Sequence, residues 1–112
     1  MTDTQLTLAF SEAPHYTDPD AFGSDLLLSS AFLPEDEAAE PDTALLPALR
    51  TIWHVANDPF RDFLKLLGLS QTSCARHFCI PLRTVQSWAL GERTPPDYVR
   101  LMMAEICLDL EG

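Results

Sequence analysis

Leu69-Ser70-Gln71-Thr72-Ser73-Cys74-Ala75-Arg76-His77-Phe78-Cys79-Ile80-Pro81-Leu82-Arg83-Thr84-Val85-Gln86-Ser87-Trp88 is the stretch on which the reading of this 112-residue chain turns. Ser70 is placed to cap a helix over Gln71–Phe78, because its short side chain can accept an orphan N–H of the first turn. Cys79-Ile80 makes a short turn. Pro81 then presets φ for a second helix, Leu82–Leu90, and Gly91 stops it. Two helices that cross steeply through so short a turn need a small residue where they approach, and Ala75 supplies it. The second helix needs apolar residues at three-residue spacing facing back into a core. Val85 and Trp88 supply these, with Ile80 plugging the turn. Leu82, Arg83, Gln86 and Ser87 are left pointing outward.

Working outward, the pattern stays helical on both sides. Leu45, Leu46, Leu49, Ile52, Trp53 and Ala56 recur at helical spacing from Ala44, and Asn57 or Asp58 closes that helix. Asp58-Pro59 reads as N-cap and N1 of the next, with Phe60, Phe63, Leu64 and Leu67 as its buried face and Gly68 as its stop. Thr94-Pro95-Pro96-Asp97 reads as N-cap to N3 of a last helix reaching about Leu108. That helix is apolar over much of its surface: Tyr98, Val99, Leu101, Met102, Met103, Ile106, Cys107 and Leu108. The excess fits a homodimer seam, a dock for the N-terminal half, or packing on the Ala44–Ala56 helix, and the sequence leaves the three open.

The first 43 residues read differently. Leu6, Leu8 and Phe10 alternate weakly, as in a short strand. Pro14, Pro19 and scattered acids then argue for irregular structure, around two apolar clusters at Asp25–Leu28 and Ala31–Leu33. Pro34–Pro41 is an acidic linker with too little apolar surface to fold alone. The expected organisation is an acidic, poorly structured region 1–43, followed by an all-α domain of four to five helices over 44–112.

Charge divides the same way. Residues 1–49 hold ten acids and no Lys or Arg, so the net −10 of the chain lies entirely there. Residues 50–112 balance seven acids with seven bases. Between positions 61 and 100, six bases (Arg61, Lys65, Arg76, Arg83, Arg93 and Arg100) face three acids (Asp62, Glu92 and Asp97). A modestly basic module therefore sits behind an acidic half.

Other classes find little support. The three cysteines, Cys74, Cys79 and Cys107, are odd in number and match no zinc spacing. Cys74 and His77 share a helix face, but a buried Cys beside an exposed His is the simpler reading. No nucleophile elbow, phosphate loop or metal spacing is present, so neither catalysis nor a cofactor nor a bound metal is expected. No apolar run reaches about 18 residues and the N-terminus lacks a basic segment before an apolar one, so the expectation is a soluble cytoplasmic protein without a membrane partner.

Gln71, Ala75, Ile80, Val85 and Trp88, followed by Gly91-Glu92-Arg93-Thr94-Pro95-Pro96, give about 50 residues of this chain a specific likeness. They resemble the lambda-repressor-like, Xre/Cro-type helix-turn-helix family. Cys79 stands at the turn position that this family usually gives to Gly, and Ser87 and Ala89 stand where it often has longer polar residues. The resemblance implies a recognition helix, Leu82–Leu90, entering the major groove of double-stranded DNA. By analogy, Arg83 pairs with a guanine edge, Gln86 and Ser87 hydrogen-bond bases or phosphates, and Leu82 touches a thymine methyl. Gln71 and Thr72 would hold one phosphate, and Arg93 and Thr94 another. Arg61, Lys65, Arg76 and Arg100 read as ordinary surface charges, and Trp88, Val85, Phe78, Phe63 and Phe60 as core.

The implied function is sequence-specific DNA binding by a transcriptional repressor or autoregulator, working as a dimer. The alternative is a protein-interaction module, such as an antitoxin or a phage inhibitor, whose acidic residues 1–43 bind a partner protein.

Overall fold

The computed structural model describes residues 1–33, 40–108 and 110. Among the described residues it is all-α: seven helices, two short 3-10 turns and no strand. They divide into two compact units, Met1–Asn57 with Asp109–Gly112, and Asp58–Leu108. The division falls at Asn57, not at residue 43 as the sequence reading has it, and the N-terminal region is helical where irregular structure was expected.

The first unit holds α1 (Asp3–Glu12), α2 (Pro19–Leu27) and α3 (Leu46–Asn57). Two local signals outweigh the weak alternation of Leu6, Leu8 and Phe10. Thr2 and Gln5 form a reciprocal capping box that starts α1. Leu6, Ala9 and Ala13 then fall on one face and are buried. Asp18 likewise accepts from the backbone N–H groups of Asp20 and Ala21, so Pro19 opens α2 and does not break the chain. Phe22, Leu26 and Leu27 of α2 are buried, as are Ala48, Leu49, Ile52 and Val55 of α3.

Polar bonds fix the N-terminal segment to α3. The Trp53 indole N–H donates to the carbonyl of Tyr16 at 2.9 Å, and the Asn57 amide donates to the carbonyl of Ala13 at 3.1 Å. Gly23 lets α2 approach α3 closely, since a Cβ there would lie 3.1 Å from Leu46 Cδ2. The Tyr16 hydroxyl donates to Asp25 at 3.0 Å, which pushes the phenol above its ordinary value, aided by the nearby negative charges. Arg50 pairs with Asp20. The linker expected at Pro34–Pro41 lies mostly outside the described residues.

The second unit holds α4 (Phe60–Leu67), α5 (Gln71–His77), α6 (Leu82–Leu90) and α7 (Asp97–Cys107). Its core comes from Phe60, Phe63, Leu64 and Leu67 of α4, Cys74 and Ala75 of α5, Val85 of α6, and Met103 and Ala104 of α7. Phe60 meets Trp88 edge to face, with ring centroids 5.3 Å apart. Gly68 and Gly91 end α4 and α6 in the left-handed conformation at φ 73° and 78°.

Three helix starts share one device. Pro59, Pro81 and Pro96 each precede a helix as its N-cap, with φ between −53° and −56° and ψ between 134° and 146°. The fixed ring φ suits this extended cap, and the missing N–H costs nothing there. Two starts consequently differ from the sequence reading. α4 begins at Phe60, with Pro59 as cap in place of Asp58. α7 begins at Asp97, with Pro96 as cap, and the capping box expected from Thr94 does not form. A residue that precedes proline is driven out of the helical region, and Thr94 and Pro95 lie outside the helix.

Arg100 is no surface charge. It is buried, donates to the backbone carbonyl of Asp58, and lies over the Phe63 ring with its guanidinium carbon 5.3 Å from the centroid. Burial pulls its pKa down, against the pull of Asp58 and Asp97.

Candidate functional site

The site begins at the turn between α5 and α6. Ser70 caps α5 by accepting from the Ser73 N–H at 3.0 Å. The Ile80 N–H reaches back to the carbonyl of Ala75 at 2.9 Å and closes the turn. Cys79 sits there at φ 55°, the one left-handed non-glycine position among the described residues. It is the position that the resembled family usually gives to Gly, and a left-handed φ is the conformation that favours Gly. The turn packs α5 against α6 through buried Ala75 and Val85, as their spacing requires.

Val85 is the only residue of α6 that is fully buried. Leu82, Arg83 and Gln86 are exposed and Ser87 is half-buried, so the outward face expected from periodicity is present. The chain after α6 then folds back onto it. Gly91 turns left-handed, and the N–H groups of Glu92 and Arg93 both reach the carbonyl of Ser87, at 3.0 and 3.4 Å. This brings Arg93 next to Arg83, Gln86 and Ser87 in one shallow depression, which Thr84, Leu90 and Glu92 complete.

The remaining expected residues lie elsewhere. Thr94 lines a separate groove together with Arg93. Gln71 and Thr72 are exposed on the first turn of α5, and neither they nor Leu82 line the depression. Three members of the depression were missed from sequence: Thr84, Leu90 and Glu92. Leu90 carried a signal, since positions 83, 86, 87 and 90 share a helical face. Glu92 carried a countersignal, a carboxylate among the cations.

Electrostatics are modest. Counted by compact unit, the second holds six bases and five acids, whereas the first holds one base, Arg50, and twelve acids. The depression itself sets Arg83 and Arg93 against Glu92. Neither Arg83 nor Arg93 forms an ion pair among the described residues, so both guanidinium groups keep their donors for a ligand. Chemically, the depression offers two forked cationic donors, an amide, two hydroxyls and an exposed leucine. That is equipment for non-covalent recognition of an anionic, hydrogen-bonding surface.

α7 carries a second exposed feature. Tyr98, Met102 and Ile106, spaced four residues apart on one face, are 66 %, 54 % and 62 % exposed. Among the described residues no helix is long and apolar enough to cross a membrane. No family model, curated protein or solved structure matches the chain.

Proposed function

We propose that residues 58–108 form a helix-turn-helix module of the lambda-repressor-like type that binds double-stranded DNA through α6, and that the chain serves as a transcriptional repressor or autoregulator. One observation carries the reading. The outward face of α6 presents Arg83, Gln86 and Ser87 while the capped end of the same helix returns Arg93 to their side. Arg83 reads a guanine edge, Gln86 and Ser87 serve bases or the adjoining phosphate, and Arg93 holds the strand. Gln71, Thr72, Leu82 and Thr94 lie outside the depression and would serve as secondary contacts. The row Tyr98, Met102 and Ile106 is the natural seam for a second copy, so two recognition helices would meet two half-sites.

With two free cations opposed by Glu92, electrostatic attraction is weak and base contacts must supply most of the discrimination. The test is binding of the full chain to a duplex from upstream of its own gene and to a random duplex pool, at low and moderate salt. Arg83→Ala should lose about 1–3 kcal/mol on the selected sequence and relax preference at one position. Absence of binding above the level of an unrelated duplex at low salt rejects the proposal.

A protein-interaction role is the second reading. It is favoured by the folded, acid-rich first unit and by the apolar row on α7. It predicts an association that tolerates salt, where phosphate binding does not.

A further inference from the structure

A groove opens between the start of α4 and the segment after α6. Arg61, Arg93 and Arg100 stand around an apolar floor of Phe60, Trp88 and Pro95. Among the described residues no Asp or Glu lines it, unlike the depression on α6, which includes Glu92. The two share Leu90 and Arg93 in their linings.

Its three cations are not equivalent. Arg100 is buried and bonded to the Asp58 carbonyl, so it is a fixed part of the wall. Arg61 and Arg93 are exposed, and neither forms an ion pair among the described residues. Lys65, one turn further along α4, is already engaged with Asp62. Position 61 therefore differs from an ordinary surface charge. It is a free forked donor lining a groove that no Asp or Glu lines among the described residues and that adjoins the α6 depression through Leu90 and Arg93.

We infer that this groove carries the sugar–phosphate backbone of duplex DNA as it leaves the α6 contact, with Arg61 and Arg93 on its phosphates. This rests on the DNA-binding reading. The chemistry fits a backbone better than an isolated anion: two exposed cationic forks can each take a phosphate, and apolar Phe60, Trp88 and Pro95 in the same groove suit a sugar edge. Such contacts fix register and add affinity without reading sequence.

The test uses the full chain, the duplex recovered by selection, and a set of single-base variants of that duplex. Arg61→Ala should weaken binding by the same factor on every variant and lower the log–log salt slope by about 1. Arg61→Lys should restore part of both. Arg61 is exposed, so the helical circular dichroism of these variants should match the parent. An unchanged slope and affinity in Arg61→Ala, in a protein whose binding still depends on Arg83, overturns this inference and leaves the DNA-binding reading standing. A change in base preference without a change in slope overturns it as well. If the chain binds no duplex at all, both fall. Salt-sensitive capture of an acidic peptide in the groove would then be the competing outcome.

Discussion

Replacing Cys79 by glycine should stabilise the second unit. The residue holds φ 55° in the turn between α5 and α6, and its side chain is exposed, so no packing is lost on substitution. A left-handed residue with a Cβ carries about 1–2 kcal/mol of steric cost, which glycine removes. Glycine adds about 0.5–1 kcal/mol of backbone entropy to the unfolded chain, which opposes the gain. The net lies between about 0 and 1.5 kcal/mol in favour of Cys79→Gly, centred on about 0.75 kcal/mol. With a urea m-value of about 1 kcal/mol/M for a unit this small, the midpoint should rise by about 0.75 M. The reporter is Trp88, which packs on Phe60 inside the unit. A Trp53→Phe background, common to parent and variant, removes the competing signal from the first unit. Gly91→Ala is the mirror control. It sits at φ 78° with open space around a would-be Cβ, so strain alone should lower stability by about 1 kcal/mol and the midpoint by about 1 M. A Cys79→Gly midpoint at or below the parent, with Gly91→Ala also unchanged, would refute the claim that left-handed strain sets the stability of this turn.

The other predictions concern the DNA contact and two titratable groups. Arg83→Ala should cost base discrimination, and Arg61→Ala should cost salt slope alone, both read by equilibrium binding as set out above. Tyr16 has its pKa raised in the fold by its bond to Asp25, so the stability it contributes is intact below its ordinary value near 10.0 and is lost as pH rises through the higher folded value. Urea midpoints followed through Trp53 should therefore fall in alkali, and Tyr16→Phe should flatten that dependence. Cys74 is buried and its thiol pushed up by burial, whereas Cys79 is exposed. A thiol-specific reagent at mildly alkaline pH should label Cys79 first and reach Cys74 only as the second unit opens; early labelling of Cys74 would contradict the packing of α5.

The C-terminal half was legible because its signals are local and mutually consistent. Ser70 as cap, Gly68 and Gly91 as stops, and Phe60, Phe63, Leu64 and Leu67 on one face each point to the same helices. The N-terminal half was misread for an equally local reason. Asp18-Pro19 is the same dipeptide as Asp58-Pro59 and, unlike it, does cap its helix with the Asp side chain, yet amid acids and without a basic residue it looked like a break. The Thr2 and Gln5 capping box was missed altogether behind three alternating apolar residues that in fact lie on a helix. What joins these short helices to α3 is long-range: bonds from Trp53 and Asn57 to carbonyls some forty residues earlier, which periodicity does not encode. At the candidate site, the α6 face was foreseen from spacing. The partner that completes it, Arg93 returned by the Gly91 turn, was named without the geometry that brings it there. Arg100 was misjudged because a lone arginine in sequence carries no mark of the aromatic rings and carbonyl that hold it.

α6 is held in place by very little of itself. Val85 is its one fully buried residue, Trp88 leans on Phe60, and the two ends are set by Pro81 and Gly91. Surface substitutions away from such anchors usually shift stability by no more than about 0.5 kcal/mol. Most of the helix is therefore free to change in sequence, and under the proposed DNA-binding reading substitutions at Arg83, Gln86 or Leu90 should alter preference while the scaffold beneath stays the same. On that reading, retargeting is a problem of choosing side chains on a ready-made platform, with the helix itself already fixed by Pro81, Val85, Trp88 and Gly91.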